Sequence, residues 1–149
     1  MRKNTLLLSI HPRHAEKILD GTKTVELRRV LPRIGKGDLV FVYASSPVKA
    51  LIGAFKVDRV VTDRPRQLWE IVQEKAGITR KEFDTYYAGA SEGYGIFFSG
   101  FLSLNRLLKL ETLRQEWPGF HPPQGYCYLT GKKEYSELTS ELAKRLCVF

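Results

Sequence analysis

Lys23-Thr24-Val25-Glu26-Leu27-Arg28-Arg29 reads as a β-strand that follows a short helical pattern stopped at Gly21. Strand side chains alternate, so Val25 and Leu27 share one face while Thr24, Glu26 and Arg28 share the other. The first face is made for a core. The second sets an acid among bases, against water, a cleft or a partner. A charged strand face is ordinarily just solvated, and a Glu–Arg pair there contributes little. The functional reading is that Lys23, Glu26 and Arg28 converge on a hollow.

The charge around this stretch supports a polyanionic partner. Residues 1–36 hold nine Lys/Arg against three acids, which leaves +6 of the formal net charge of +8 in that segment. Charge concentrated in this way points to a polyanion more than a diffuse excess would, with a solubilising face as the equal alternative on charge alone. With 149 residues, 43% hydrophobic and 27% charged, the chain is expected to form a single domain (1–149) with a real core. No apolar run approaches the roughly 18 residues of a membrane helix, and Leu6-Leu7-Leu8 is too short for a signal peptide. A cytoplasmic protein without a membrane partner is therefore expected. Cys127 and Cys147 lack metal-ligand spacing and read as thiols rather than a disulfide. Neither a metal nor a cofactor is called for.

Outward from the central strand, Leu6 to Ile10 forms a buried first strand ended by His11-Pro12, and Pro12 suits a helix's first position. His11, His14 and Lys17 recur every third residue and can share one side of that entry. Two histidines without a third ligand read as surface residues, His11 being the one placed to face a site. Leu39 to Ala44 is a strand closed by the Ser45-Ser46-Pro47 turn, and Lys49 to Val61 is another, with Gly53 marking a bulge or a bend at a barrel corner. Pro65 to Lys75 has helical spacing, and Thr79 with Glu82 forms a capping box opening a helix through Tyr86-Tyr87. Tyr94 to Leu102 is an aromatic strand, Leu107 to Glu116 a short helix or turn, and Tyr126 to Leu129 the last strand. From about 133 to 146, Leu138, Leu142 and Leu146 stripe a tail helix that docks on the body or on a protein partner, including a second copy. Strand and helix do not alternate, so an α+β domain built on a small β-barrel of about six mixed strands is expected, flanked by helices.

Several chemistries are poorly served. There is no G-x-S-x-G, no G-x-G-x-x-G and no Walker-type phosphate loop. A carboxylate pair would need Glu26 plus an acid such as Glu70 or Glu74. Lys23 could serve as base or nucleophile if burial removed its proton, with Glu26 as shuttle, but an acid three residues away favours its charged form and hence binding. Tyr43, Tyr86, Tyr87 and Tyr94 could stack bases beside Arg28 and Arg29.

Ser9-Ile10-His11-Pro12, the helix with Ala15-Glu16-Lys17-Ile18-Leu19, Gly21-x-Lys23-Thr24-x-Glu26-x-Arg28-Arg29 and Gly37-Asp38 together resemble the ASCH domain family of the PUA-like superfamily. The Gly53 strand, Leu68-Trp69, Tyr86-Tyr87 and Pro123-Gln124 resemble a prokaryotic branch of it. The resemblance implies a small β-barrel flanked by helices, with a cleft suited to RNA or a modified base. Relatives include a hydrolase of N4-acetylcytidine that uses a Lys, a Thr and a Glu. Lys23 matches that Lys, and Glu26 stands where the Thr is expected. Other relatives are linked to nuclease activity or to transcriptional coactivators.

The favoured reading is a non-catalytic nucleic-acid-binding module for RNA or a modified nucleobase. Lys17, Lys23, Arg28 and Arg29 would hold phosphates and Glu26 a base edge, with Ser9, His11, Tyr43 and Ser45 completing the wall. The alternative is a hydrolase using Lys23 and Glu26 on an acylated nucleoside or on RNA.

Overall fold

A computed structural model describes residues 3–146, among which six strands and five α-helices form an α+β fold. The strands are β1 (Thr5–Ile10), β2 (Val25–Arg28), β3 (Leu39–Ala44), β4 (Ala50–Asp63), β5 (Gly93–Lys109) and β6 (Tyr126–Tyr128). The helices are α1 (Pro12–Leu19), α2 (Pro65–Val72), α3 (Arg80–Tyr86), α4 (Leu110–Glu116) and α5 (Ser136–Lys144). The sheet runs β2-β5-β4-β3-β1-β6; β1 and β3 are parallel and the other pairs antiparallel. It curls into a half-barrel because β4 and β5 are long and broken by register shifts. One shift falls at Gly53, where a Cβ would run into the Leu102 carbonyl oxygen and the Phe101 ring.

Alternation along the strands divides the core. Leu8, Val40, Val42 and Phe55 pack with Ile18 of α1, and the Phe55 and Phe98 rings stack at 3.9 Å. On the other face, Leu7, Phe41 and Leu51 meet Leu113 of α4 and Leu138 and Leu142 of α5. A third cluster joins Val25 and Leu27 of β2 to Leu68, Trp69 and Val72 of α2 and Phe83 of α3.

Several boundaries differ from the sequence reading. β5 continues to Lys109, through residues read as the start of a helix, because it stays paired with β4 up to Ala50↔Lys109. Helix α2 stops at Val72, short of Lys75, and α5 begins only after a 3-10 turn, Lys133–Tyr135. Of the two places expected for the tail helix, the body or a partner, it takes the body: Leu138 and Leu142 are fully buried there, and Leu146 packs on the same cluster. No described helix is long and apolar enough to cross a membrane. Cys127 is a free thiol, and Cys147 lies outside the described residues.

The outermost strands are short. β2 spans four residues and β6 three. The irregular 117–125 segment leads into β6, where Gly125 accepts a hydrogen bond from the Ser9 N–H at 2.9 Å.

Candidate functional site

Because Val25 and Leu27 are drawn into the α2–α3 cluster, strand alternation turns Glu26 and Arg28 to the opposite side. There they meet the end of β1, the first turn of α1 and the inward side of α3, around a cleft of about 590 Å³. Lys23, just before β2, enters the same hollow. Lys23 is 3% exposed and Glu26 8%.

The floor is a three-membered charge network. Glu26 Oε1 lies 3.5 Å from Lys23 Nζ, and Glu26 Oε2 lies 3.0 Å from Arg28 Nη2. Lys23 Nζ also donates to the Ala76 carbonyl at 2.9 Å. Burial pushes the Lys23 pKa below that of an ordinary lysine, against the pull of Glu26. Two cations and one anion leave the floor with a single positive charge, which suits one phosphodiester.

Two buried side-chain polar atoms among the described residues have no hydrogen-bond partner: His14 Nδ1 and Arg28 Nε. Both residues line this cleft. Buried polar atoms are nearly always satisfied, so two orphans on residues that line one hollow single it out, although both atoms are themselves closed off from the open space. Burial, then Lys23 and Arg13, lowers the His14 pKa, and Glu26 opposes them. At neutral pH its imidazole is uncharged and able to accept a proton.

The walls are braced. His11 Nδ1 accepts from the Arg13 N–H at 3.1 Å and caps α1. Arg13 Nη2 pairs with Glu82 Oε2 at 2.6 Å, tying α1 to α3. Glu82 also completes the capping box, accepting from the Thr79 N–H at 3.0 Å while its own N–H donates to Thr79 Oγ1 at 3.1 Å. Tyr86 presents its ring to the cleft and donates its hydroxyl to Leu27 O at 3.4 Å. Ser9 Oγ donates to Pro123 O at 2.5 Å.

Of the residues singled out from sequence, Ser9, His11, Lys23, Glu26 and Arg28 come together here. Four do not. Tyr43, expected on the wall, sits in the core with Leu7 and Phe41, because central strand β3 is covered on both faces. Ser45 belongs to the turn beyond β3, where its N–H donates to Ile10 O at 2.9 Å. Lys17 reaches away and donates to the Gly77 carbonyl, fixing the α2–α3 connection. Arg29 donates to Tyr86 O at 2.9 Å and Ala88 O at 3.3 Å, at the end of α3. The sequence reading passed over His14 as a surface residue. Its spacing of three from His11 was the available signal.

The ASCH domain model matches residues 8–105 of this chain. An ASCH domain-containing ribonuclease of Zymomonas mobilis subsp. mobilis is 28% identical over 134 residues, covering 90% of this chain and 89% of that protein. The crystal structure of ASCH from Zymomonas mobilis superposes with a TM-score of 0.84 at 26% identity, covering 96% of both chains. The N-terminal domain of Staphylothermus marinus McrB, at 13% identity and a TM-score of 0.56, shares the fold alone.

Proposed function

The chain belongs to the ASCH domain family, and from that premise we propose that it acts on RNA, binding a nucleotide of a single strand in the β2–α1–α3 cleft and cleaving the strand there. The observation that carries this reading is the Lys23–Glu26–Arg28 network at the cleft floor, with His14 Nδ1 and Arg28 Nε free beside it. The similarity to a protein named as a ribonuclease runs along nearly the whole of both chains and supports the same choice.

In the proposed step the ribose 2′-oxygen attacks the adjacent phosphorus and gives its proton to His14. The bond from phosphorus to the 5′-oxygen breaks, leaving a 2′,3′-cyclic phosphate and a 5′-hydroxyl. Arg28 faces the charge developing on the non-bridging oxygens. Lys23 has three N–H bonds, two of them directed to Ala76 O and Glu26; the third supplies the proton to the leaving 5′-oxygen. Glu26 holds both cations in position, and Tyr86 offers a face on which a base stacks.

Incubation with end-labelled single-stranded RNA tests this. Fragments ending in cyclic phosphate are expected, with turnover abolished by Lys23→Ala and reduced at least a hundredfold by His14→Ala. RNA binding without turnover would leave a binding module; neither binding nor turnover would remove the RNA reading. A second reading has its own support in a cleft sized for one nucleoside and in the buried Lys23. Release of acetate from N4-acetylcytidine in a parallel incubation would favour it.

A further inference from the structure

Around the end of the sheet from the cleft, past the exposed β3–β4 turn, lies a second, basic hollow against α4. Register places Ile10 beside Ala44, Ala44 beside Ala50 and Ala50 beside Lys109, one row across β1, β3, β4 and β5. Ile10 lines the cleft, and Lys109 lines a shallow groove of about 420 Å³. Three strand spacings separate them, about 14 Å. The turn between β3 and β4 bridges the gap and is anchored at both sides: Ser45 N–H donates to Ile10 O at 2.9 Å, and Lys49 O accepts from Leu110 N at 2.9 Å.

The groove carries Lys49, Lys109 and Arg114 against one acid, Glu111. All three bases are exposed, and the bridging turn, Ser45 to Val48, bears no acid. Lys49 has φ 51°, so the left-handed turn sets where its side chain leaves the backbone. By contrast, the hollow between α4 and α5 has Glu116, Glu137 and Glu141 against Lys144 and Arg145, which would repel a polyanion.

We infer that the Lys49–Lys109–Arg114 groove is a second phosphate-binding subsite, taking the continuation of a single-stranded RNA whose reacting nucleotide lies in the cleft. This rests on the RNA reading and extends it: the substrate class is an oligonucleotide several residues long rather than a free nucleoside. The row is buried from Ile10 to Ala50, so the strand would pass over the exposed turn; at a rise of about 3.4 Å per stacked nucleotide, the 14 Å between the two ends sets a minimum of about four nucleotides.

The test uses 2′-O-methylated RNA, which cannot supply the attacking hydroxyl, as a trinucleotide and a decanucleotide. The wild-type protein is expected to bind the decanucleotide at least tenfold more tightly. In the triple variant Lys49→Asn, Lys109→Gln and Arg114→Gln, Asn is chosen at 49 because it tolerates the left-handed backbone. Single strands give about 0.7 of salt slope per neutralised phosphate, so losing three contacts lowers the slope by about 2 and weakens decanucleotide binding up to about a hundredfold at 0.1 M salt. Trinucleotide affinity and melting temperature should stay at wild-type values. If the triple variant is itself destabilised, the single Lys109→Gln change, expected to remove about 0.7 of slope, decides the matter. Equal affinity of the wild type for both lengths, or an unaffected triple variant, overturns the subsite while leaving the cleft reading intact. An acidic peptide that binds the groove with no change in RNA affinity also overturns it. Arg28→Ala is the separate control on the cleft: trinucleotide binding that survives it defeats the placement of the nucleotide in the cleft, and no trinucleotide binding or turnover by the wild type defeats the RNA reading itself.

Discussion

Glu26→Gln isolates what the charge network contributes. In the folded protein one carboxylate faces Lys23 at 3.5 Å and Arg28 at 3.0 Å, with all three groups largely withdrawn from water. Removing the shared anion leaves two cations facing each other across a neutral amide. Breaking a buried ion pair from one side costs about 3–5 kcal/mol. The Gln oxygen still accepts from one cation, and Arg28 borders the open cleft, so the lower end applies, about 3 kcal/mol. With a urea m-value of about 2 kcal/mol/M, the unfolding midpoint falls by about 1.5 M. Buried Trp69, packed on Phe83 in the cluster behind β2, provides the fluorescence signal. The dependence on pH gives a second check. Burial lowers the folded-state pKa of Lys23, so below the unfolded value of 10.5 the native protein binds fewer protons than the unfolded chain, and stability rises with pH through that window. Without Glu26 the Lys23 pKa falls further and the window widens, so the deficit shrinks between pH 7 and 10. Adding Lys23→Met removes the stranded cation and should restore at least half of the loss. A midpoint shift below about 0.3 M, or a deficit that does not change with pH, refutes the reasoning.

Three further outcomes are expected. Gly53→Ala places a methyl group against the Leu102 carbonyl and should destabilise by more than about 2 kcal/mol in the same urea titration. Thr79→Ala removes one arm of the α3 capping box and should cost about 1 kcal/mol; because Glu82 also braces Arg13, a small loss of RNA affinity should accompany it. If His14 is the base, its lowered pKa puts the acid limb of the kcat/KM profile below pH 6.5. Its contribution to stability has the matching sign, present above 6.5 and lost as pH falls toward the lower folded value, and His14→Gln should abolish both effects. Arg13, Lys17 and Lys23 press this pKa down and Glu26 holds it up, so Glu26→Gln should move the limb further toward acid.

Much of this was legible from residue pattern because local signals and tertiary packing agree. Alternation in 23–29 set Val25 and Leu27 against Glu26 and Arg28, and the structure buries the first pair in the α2–α3 cluster and turns the second into the cleft. The Thr79–Glu82 box and the Gly53 bulge depend on neighbours within a few residues or on backbone space, and both are present. Tyr43 was misplaced because no short-range signal says which strands end up central; β3 is covered on both sides by segments distant in sequence. Lys17 and Arg29 look like free cations along the chain, yet each is claimed by backbone carbonyls of the α2–α3 region some 57 to 60 positions away. His14 drew little notice for the same reason: it shares its cleft with Lys23 and with α3, which no spacing within α1 reveals.

The short outer strands bear on how copies of this protein meet. A sheet grows from one molecule to the next where a long, straight margin leaves its amides unanswered. Here one margin is β2, where the Tyr87 hydroxyl donates to the Arg28 carbonyl at 3.1 Å, followed by the flank of β5 beyond Phe98, which Leu146 bridges at Leu104; the other is β6, which shields the leucine-rich β1 behind it. Loss of the 117–128 segment would bare β1, whose Leu6-Leu7-Leu8 is the kind of apolar tract that seeds intermolecular ribbons. The proline-rich strap therefore guards solubility at one end of the sheet while its Pro123 carbonyl holds Ser9 beside the cleft.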